Sequence, residues 1–171
     1  MEAYQLLKDK LEYNQWANTR MMDWLKTQQH YLLNEGVKSG FKNINKAIHH
    51  ILEAQTYYFS ILTEKEAMYY SELPTLRVFE LLTQLDEDLL KWYTHQDNAS
   101  LDQVIAIKRS PYEEKYSLAT ILMHLCNHST YHRGQIIDLR HQLDMVKPPK
   151  TDYYWMFAER AFGGEIPGFT Q

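Results

Sequence analysis

The run HLCNHSTYHRGQ, residues 124–135, sets His124, His128 and His132 four residues apart. On an α-helix, residues i and i+4 share a face at about 5–6 Å, so two imidazoles at this spacing can hold one divalent ion. Which two do so depends on the face that turns inward. Wound at about 100° per residue, Leu118, Leu122, Leu125, Ile136, Leu139 and Leu143 define an apolar stripe. His132 falls near its centre and His128 roughly 55° away, while His124 lies at the margin, roughly 95° off. His128 and His132 therefore project inward. A buried imidazole nitrogen without a partner costs about 1–3 kcal/mol, and a shared ion satisfies one nitrogen on each ring.

A third donor comes from the adjacent pair His49-His50, whose side chains point about 100° apart. With Ile44, Ile48, Ile51, Tyr58 and Leu62 as the stripe, His50 falls on its flank beside the small residues Ala47 and Ala54. His49 points to the opposite side. The predicted ligand set is His50, His128 and His132. Three protein ligands leave one position of a tetrahedral ion open, the arrangement of catalytic sites. That position can lower the pKa of a bound thiol or of water, supporting thiol transfer or hydrolysis respectively. No carboxylate is firmly placed beside the histidines, which favours the thiol.

The remaining residues carry weaker signals. Asn14 and Asn18 share a face with Leu7, Leu11, Met21 and Leu25. Amides in an apolar stripe need hydrogen-bond partners, either across helices or on a cofactor or substrate; we retain both readings. Trp16 points away from that face, towards a partner subunit or the last helix. Tyr131 and Arg133 read as lying off the stripe, in salt bridges or helix packing. His30, His95 and His141 read as solvated, and the single cysteine, Cys126, as a small packing residue. Asp152 either orients an imidazole, as carboxylates often do, or caps a helix.

The elements that must position these groups are helices. Apolar periodicity predicts helices over about 4–28, 43–63, from Pro74-Thr75 to about 92, and 118–144. The third is expected to bury Val78, Leu81, Leu82, Leu85, Leu89 and Trp92. Ser117 is a plausible N-cap for the fourth, and Pro148 and Pro149 stop it. A short last helix begins near Thr151 or Asp152 and ends at Gly163-Gly164. Residues 101–116 read as an extended loop or small hairpin. The fold class is therefore all-α: one domain over 1–171, a four-helix bundle with a short additional C-terminal helix.

Composition narrows the function. The formal charge is -4 and the 18 Lys and Arg are scattered, without the basic stripe that nucleic-acid binding uses. No apolar run approaches the ~20 residues of a membrane span. The N-terminus lacks a basic segment followed by an apolar one, so the expected location is cytoplasmic.

Several segments carry a family resemblance. NHSTYHRGQI, residues 127–136, resembles the signature of the DinB/YfiT-like proteins. YNQWAN at 13–18, HILEAQTYYF at 50–59 and KPPKTDYYW at 147–155 are similar to further segments of that family. The resemblance implies a four-helix bundle, usually dimeric, holding zinc, nickel or a similar ion on His50, His128 and His132. It implies no DNA binding. Related proteins include metal-dependent transferases that use bacillithiol, mycothiol or glutathione, and a mycothiol-dependent maleylpyruvate isomerase; many others have no known activity. The expected function is transfer of a bacillithiol-like thiol to an electrophilic small molecule. The alternatives are a non-catalytic metal-binding stress-response protein and a metal-dependent hydrolase.

Overall fold

The computed structural model describes residues 2–70 and 73–163. Four long helices dominate: α1 (Ala3–Lys26), α2 (Ile44–Thr63), α3 (Thr75–Tyr93) and α4 (Leu118–Leu139). A shorter α5 (Tyr153–Phe162) follows. Both α3 and α4 pack against both α1 and α2, so each helix of the bundle has two neighbours. Among the described residues no helix is long and apolar enough to cross a membrane.

Local chemistry sets most boundaries. The Asn43 side chain accepts from the backbone N–H of Lys46 at 2.9 Å, and Ser117 from that of Thr120 at 3.2 Å. Each satisfies a donor that the first helical turn leaves free. At the C-terminal end of α5, Gly163 takes φ +67°, the left-handed conformation that glycine adopts without a Cβ clash; Gly164 lies outside the described residues. Asp152 occupies the N-cap position of α5 but its side chain makes no capping hydrogen bond. α4 ends five residues before the predicted 144. Residues 140–144 form turns instead, with Asp144 at φ +49° and the Met145 N–H bonded to the Arg140 carbonyl.

Between α3 and α4, β1 (Val104–Arg109) and β2 (Tyr112–Ser117) pair antiparallel, from Val104 opposite Ser117 to Arg109 opposite Tyr112. This is the small hairpin anticipated for 101–116. Because strand side chains alternate and directly paired residues share a face, Ile105, Ile107, Glu114 and Tyr116 form one face. Ile107 is fully buried, so that face turns to the bundle. A 3-10 turn, His30–Leu33, which periodicity missed, packs Leu33 under the loop that leads to α2.

The core is not continuous. One apolar cluster gathers Met21, Leu25, Ile48, Leu82 and Ile136; a second gathers Leu7, Leu11, Leu89, Leu122 and Leu125. Between them, along each of the four helices, stand buried polar residues: Asn14 and Asn18 on α1, Gln55 on α2, Asp86 on α3, Ser129, His132 and Arg133 on α4. A polar layer thus crosses the bundle at mid-height. The buried face of α3 is rotated from the prediction: Phe79, Asp86 and Tyr93 are buried, whereas Leu81, Leu85 and Trp92 are half-exposed.

Candidate metal centre

α4 lies between α1 and α2, so it buries two faces rather than one. His128 and His132 turn to α2, and His50 on α2 meets them. The His128 Nε2 atom is 3.2 Å from His50 Nε2 and 3.1 Å from His132 Nε2. One nitrogen from each of the three rings lies within 4.8 Å of those of the others. A tetrahedral zinc with Zn–N of about 2.0–2.1 Å sets its nitrogens about 3.3–3.4 Å apart; the two separations through His128 are close to that, and the third lies within 4.8 Å. Among the described residues no carboxylate joins the cluster.

The surroundings prepare the rings for that role. Burial, aided by the neighbouring imidazoles, pushes His128 down to about 4. His132 is lowered too, by burial first, while its bond to Gln135 opposes the shift. Both rings are therefore neutral at pH 7, the form that ligates metal. The His132 Nδ1–H donates to Gln135 Oε1 at 2.7 Å, which fixes the tautomer and leaves the Nε2 lone pair towards the other two rings. Phe41, from the loop before α2, covers the cluster with its ring 5.4 Å from His50 and 5.3 Å from His132.

His124 stays outside the cluster and is exposed, its ring 5.7 Å from His128 and 5.1 Å from Tyr58. His49 points elsewhere and is buried, its Nε2 bonded to the Leu73 carbonyl at 3.2 Å. His30, His95 and His141 are exposed. Asp152 is exposed and orients none of the three rings through a described hydrogen bond; Gln135 does that for His132. Periodicity pointed to neither Gln135 nor Phe41. The signal for Gln135 was its i+3 spacing from His132, which puts both on one helix face.

Arg133 is the main correction. Instead of lying off the buried surface it is 1% exposed, because α4 turns a second face to α1. Its Nη1 donates to Asn14 Oδ1 at 3.0 Å and Asn18 Oδ1 at 2.7 Å. The two amides pass the contact on, donating to Asp86 Oδ1 at 3.0 Å and Oδ2 at 2.8 Å. Gln55 Nε2 adds a third donor to Asp86 at 2.8 Å, and Ser129 Oγ donates to Gln55 Oε1 at 3.1 Å. Asn14 and Asn18 thus find their partners across helices. Burial still raises Asp86 to about 6 against these donors and the Arg133 charge.

The other outliers have plain roles. Cys126 packs against α1 with Sγ near the Lys10 carbonyl, and burial with the Asp86 charge pushes its thiol up to about 12. Trp16 packs on α5, where its Nε1 donates to Glu159 at 3.0 Å. Tyr131 is exposed and stands edge-on to His132 at 5.0 Å.

A helical bundle with three convergent imidazoles is a protein that could hold a metal ion. The profile of the DinB family matches residues 3–161, and the chain belongs to that family. It is 26% identical over 152 residues to "Protein DinB" of Bacillus subtilis (strain 168), covering 83% of this chain and 88% of that one. Its fold is similar to a crystal structure of a DinB-like protein from Bacillus cereus ATCC 10987, with a TM-score of 0.66 at 17% identity. That match covers 81% of this chain and 91% of the other.

Proposed function

We propose that the protein holds one divalent ion, zinc or nickel, on His50, His128 and His132 and transfers a bacillithiol-like thiol to an electrophilic carbon. The observation that carries this reading is the convergence of three imidazoles, with no carboxylate joining them among the described residues. When bound, such an ion lowers the pKa of a thiol at its open position, so that the sulfur is nucleophilic at neutral pH. The chain's own residues do the rest. Gln135 holds the His132 tautomer, and Phe41 limits water over the rings. The incoming sulfur supplies the electron pair of the new S–C bond. The electrophile's leaving group departs with its own pair, or an activated double bond takes that pair up. Cys126 is no nucleophile, being buried with its thiol raised to about 12. Asn14 and Asn18 serve by fixing α1 against Arg133 and Asp86.

The test is conjugation of a chromogenic electrophile by bacillithiol, glutathione and simpler thiols, with zinc or nickel restored. Acceleration that is lost in His128→Ala and kept in Cys126→Ser supports transfer. Hydrolysis of an ester or amide panel without thiol transfer replaces it with a hydrolase. Neither activity leaves a metal-binding protein.

We also infer a cytoplasmic homodimer. The dimer rests on the family resemblance alone, since Trp16 is used within the chain. Light scattering at the mass of a 20.4 kDa monomer at micromolar concentration would overturn it.

A further inference from the structure

The loop that leads into α2 is tied down more firmly than a connection requires. Residues 34–43 close on themselves: the Asn43 side chain donates to the Asn34 carbonyl at 3.2 Å, and the Val37 N–H to the Lys42 carbonyl at 3.1 Å. The turn after α4 clamps the same loop. The Lys38 N–H donates to Gln142 Oε1 at 3.0 Å, and Gln142 Nε2 donates back to the Lys38 carbonyl at 3.4 Å. Compact surface loops with joined ends are frequently functional. Over 34–42 only Val37 and Phe41 are half-buried, and the other residues are exposed. Both pack against the apolar cluster that holds Ile48 and Ile136. The bonded loop thereby fixes where the Phe41 ring stands.

That ring covers one flank of the histidines. Its centroid is 5.4 Å from that of His50 and 5.3 Å from that of His132, and those two rings are 4.6 Å apart. Aromatic rings in contact have centroids about 4.5–7 Å apart, so the three form a closed triangle without room for a ligand atom between them. The other flank belongs to His128. Among the described residues Phe41 makes no ring contact with it, and the exposed His124 stands beside it with the rings 5.7 Å apart. The apolar groups around a metal site control what reaches it from solvent. A flat chelator must bring two donors to the ion together, whereas a single donor needs only one line of approach.

We propose that Phe41 is the specificity-determining residue of this site, closing the His50–His132 flank so that single-donor ligands such as a thiolate enter beside His128 and flat chelating molecules are turned away. The proposal rests on the reading that the three histidines hold an ion. It does not depend on which reaction follows.

The test uses the full chain loaded with cobalt(II), which binds the same kind of nitrogen site and reports its ligands by colour. Removal of the metal is followed at increasing phenanthroline concentration, and mercaptoethanol binding is titrated from the cobalt spectrum. Phe41→Ala should raise the phenanthroline-dependent rate about tenfold, as expected when a group around a metal site is removed. The concentration-independent loss of metal and the mercaptoethanol affinity should stay as in the wild type. Phe41→Leu, which keeps most of the bulk, should resemble the wild type, and Gln142→Ala, which releases the clamp, should fall between. An unchanged phenanthroline rate in Phe41→Ala, or a rise confined to the concentration-independent loss, overturns the proposal. A wild-type chain that holds no cobalt overturns both this proposal and the metal-site reading. A chelator barrier that depends on Phe41, without thiol transfer, would sink the transferase reading and leave this one standing.

Discussion

Two polar clusters meet on α4 one residue out of phase, His128 with His132 and Ser129 with Arg133. One step along a helix turns the side chain by about 100°, so the first pair faces His50 of α2, whereas Arg133 reaches Asn14 and Asn18 of α1 and Ser129 bonds Gln55. Both clusters lie in the same layer, yet their bonding differs. Around Asp86, donors and acceptors alternate: a guanidinium, two amides, a carboxylate and a glutamine close on one another. Around His128, three Nε2 atoms face each other and its Nδ1 has no hydrogen-bond partner among the described residues. A network whose members bond chiefly to one another holds helices in register, although the buried Arg133 Nε has no hydrogen-bond partner among the described residues. Three converging imidazole nitrogens could be completed by an ion from outside. The contrast separates the structural cluster from the binding one without reference to relatives.

The largest expected effect tests the binding side. His132→Ala should weaken metal binding by about 4 kcal/mol, roughly a thousandfold, since it removes one of three ligands. The metal-free fold should lose no more than about 1–2 kcal/mol. Elemental analysis with urea unfolding measures both. His124→Ala should keep its metal; equal loss there would break the assignment.

Asp86→Ala should do the reverse. It leaves Asn14, Asn18, Gln55 and the buried Arg133 without their acceptor or counter-charge, at a cost of about 3–5 kcal/mol. Metal stoichiometry of the folded fraction should remain that of the wild type. Loss of metal from protein that is still folded would show that the two clusters are one unit.

Gln135→Leu sharpens the contrast within the metal side. Losing the acceptor of the His132 Nδ1–H should weaken metal affinity by about 10–100-fold, measured by chelator competition, with little change in urea midpoint.

Acidity separates the clusters by sign in the metal-free protein. His128, at about 4 when folded against 6.5 ordinarily, binds fewer protons folded than unfolded. Its contribution is intact above pH 6.5 and is lost as pH falls towards 4. Asp86, at about 6 when folded against 3.8, contributes most below 3.8, and that contribution is lost as pH rises through 6. The two oppose each other between pH 4 and 6. Urea midpoints across that window should rise with pH in Asp86→Asn and fall with pH in His128→Ala. Slopes of the same sign in both variants would contradict the shifts.

The smallest effect concerns the neighbouring imidazole. His49→Ala should cost about 1–2 kcal/mol through its bond to the Leu73 carbonyl and spare the metal entirely. Parallel elemental analysis of the His49 and His50 variants checks it.

What the sequence by itself determined is what repeats along one helix. The 3.6-residue period gave the helices, Ser117 gave one start, and the offset from each stripe selected His50, His128 and His132 over His49 and His124. Asp86 shares that period, four residues after Leu82 and three before Leu89, but its charge kept it out of the predicted buried face. Only the tertiary structure decided how wide the buried face of α4 is. A single stripe assumes one neighbour, whereas α4 has two, and that second neighbour turned Arg133 and Cys126 from margin into core. The pairing of Glu114 with Ile107, which put a carboxylate under the hairpin, was likewise invisible. Register between strands depends on a partner that the period of one strand does not specify.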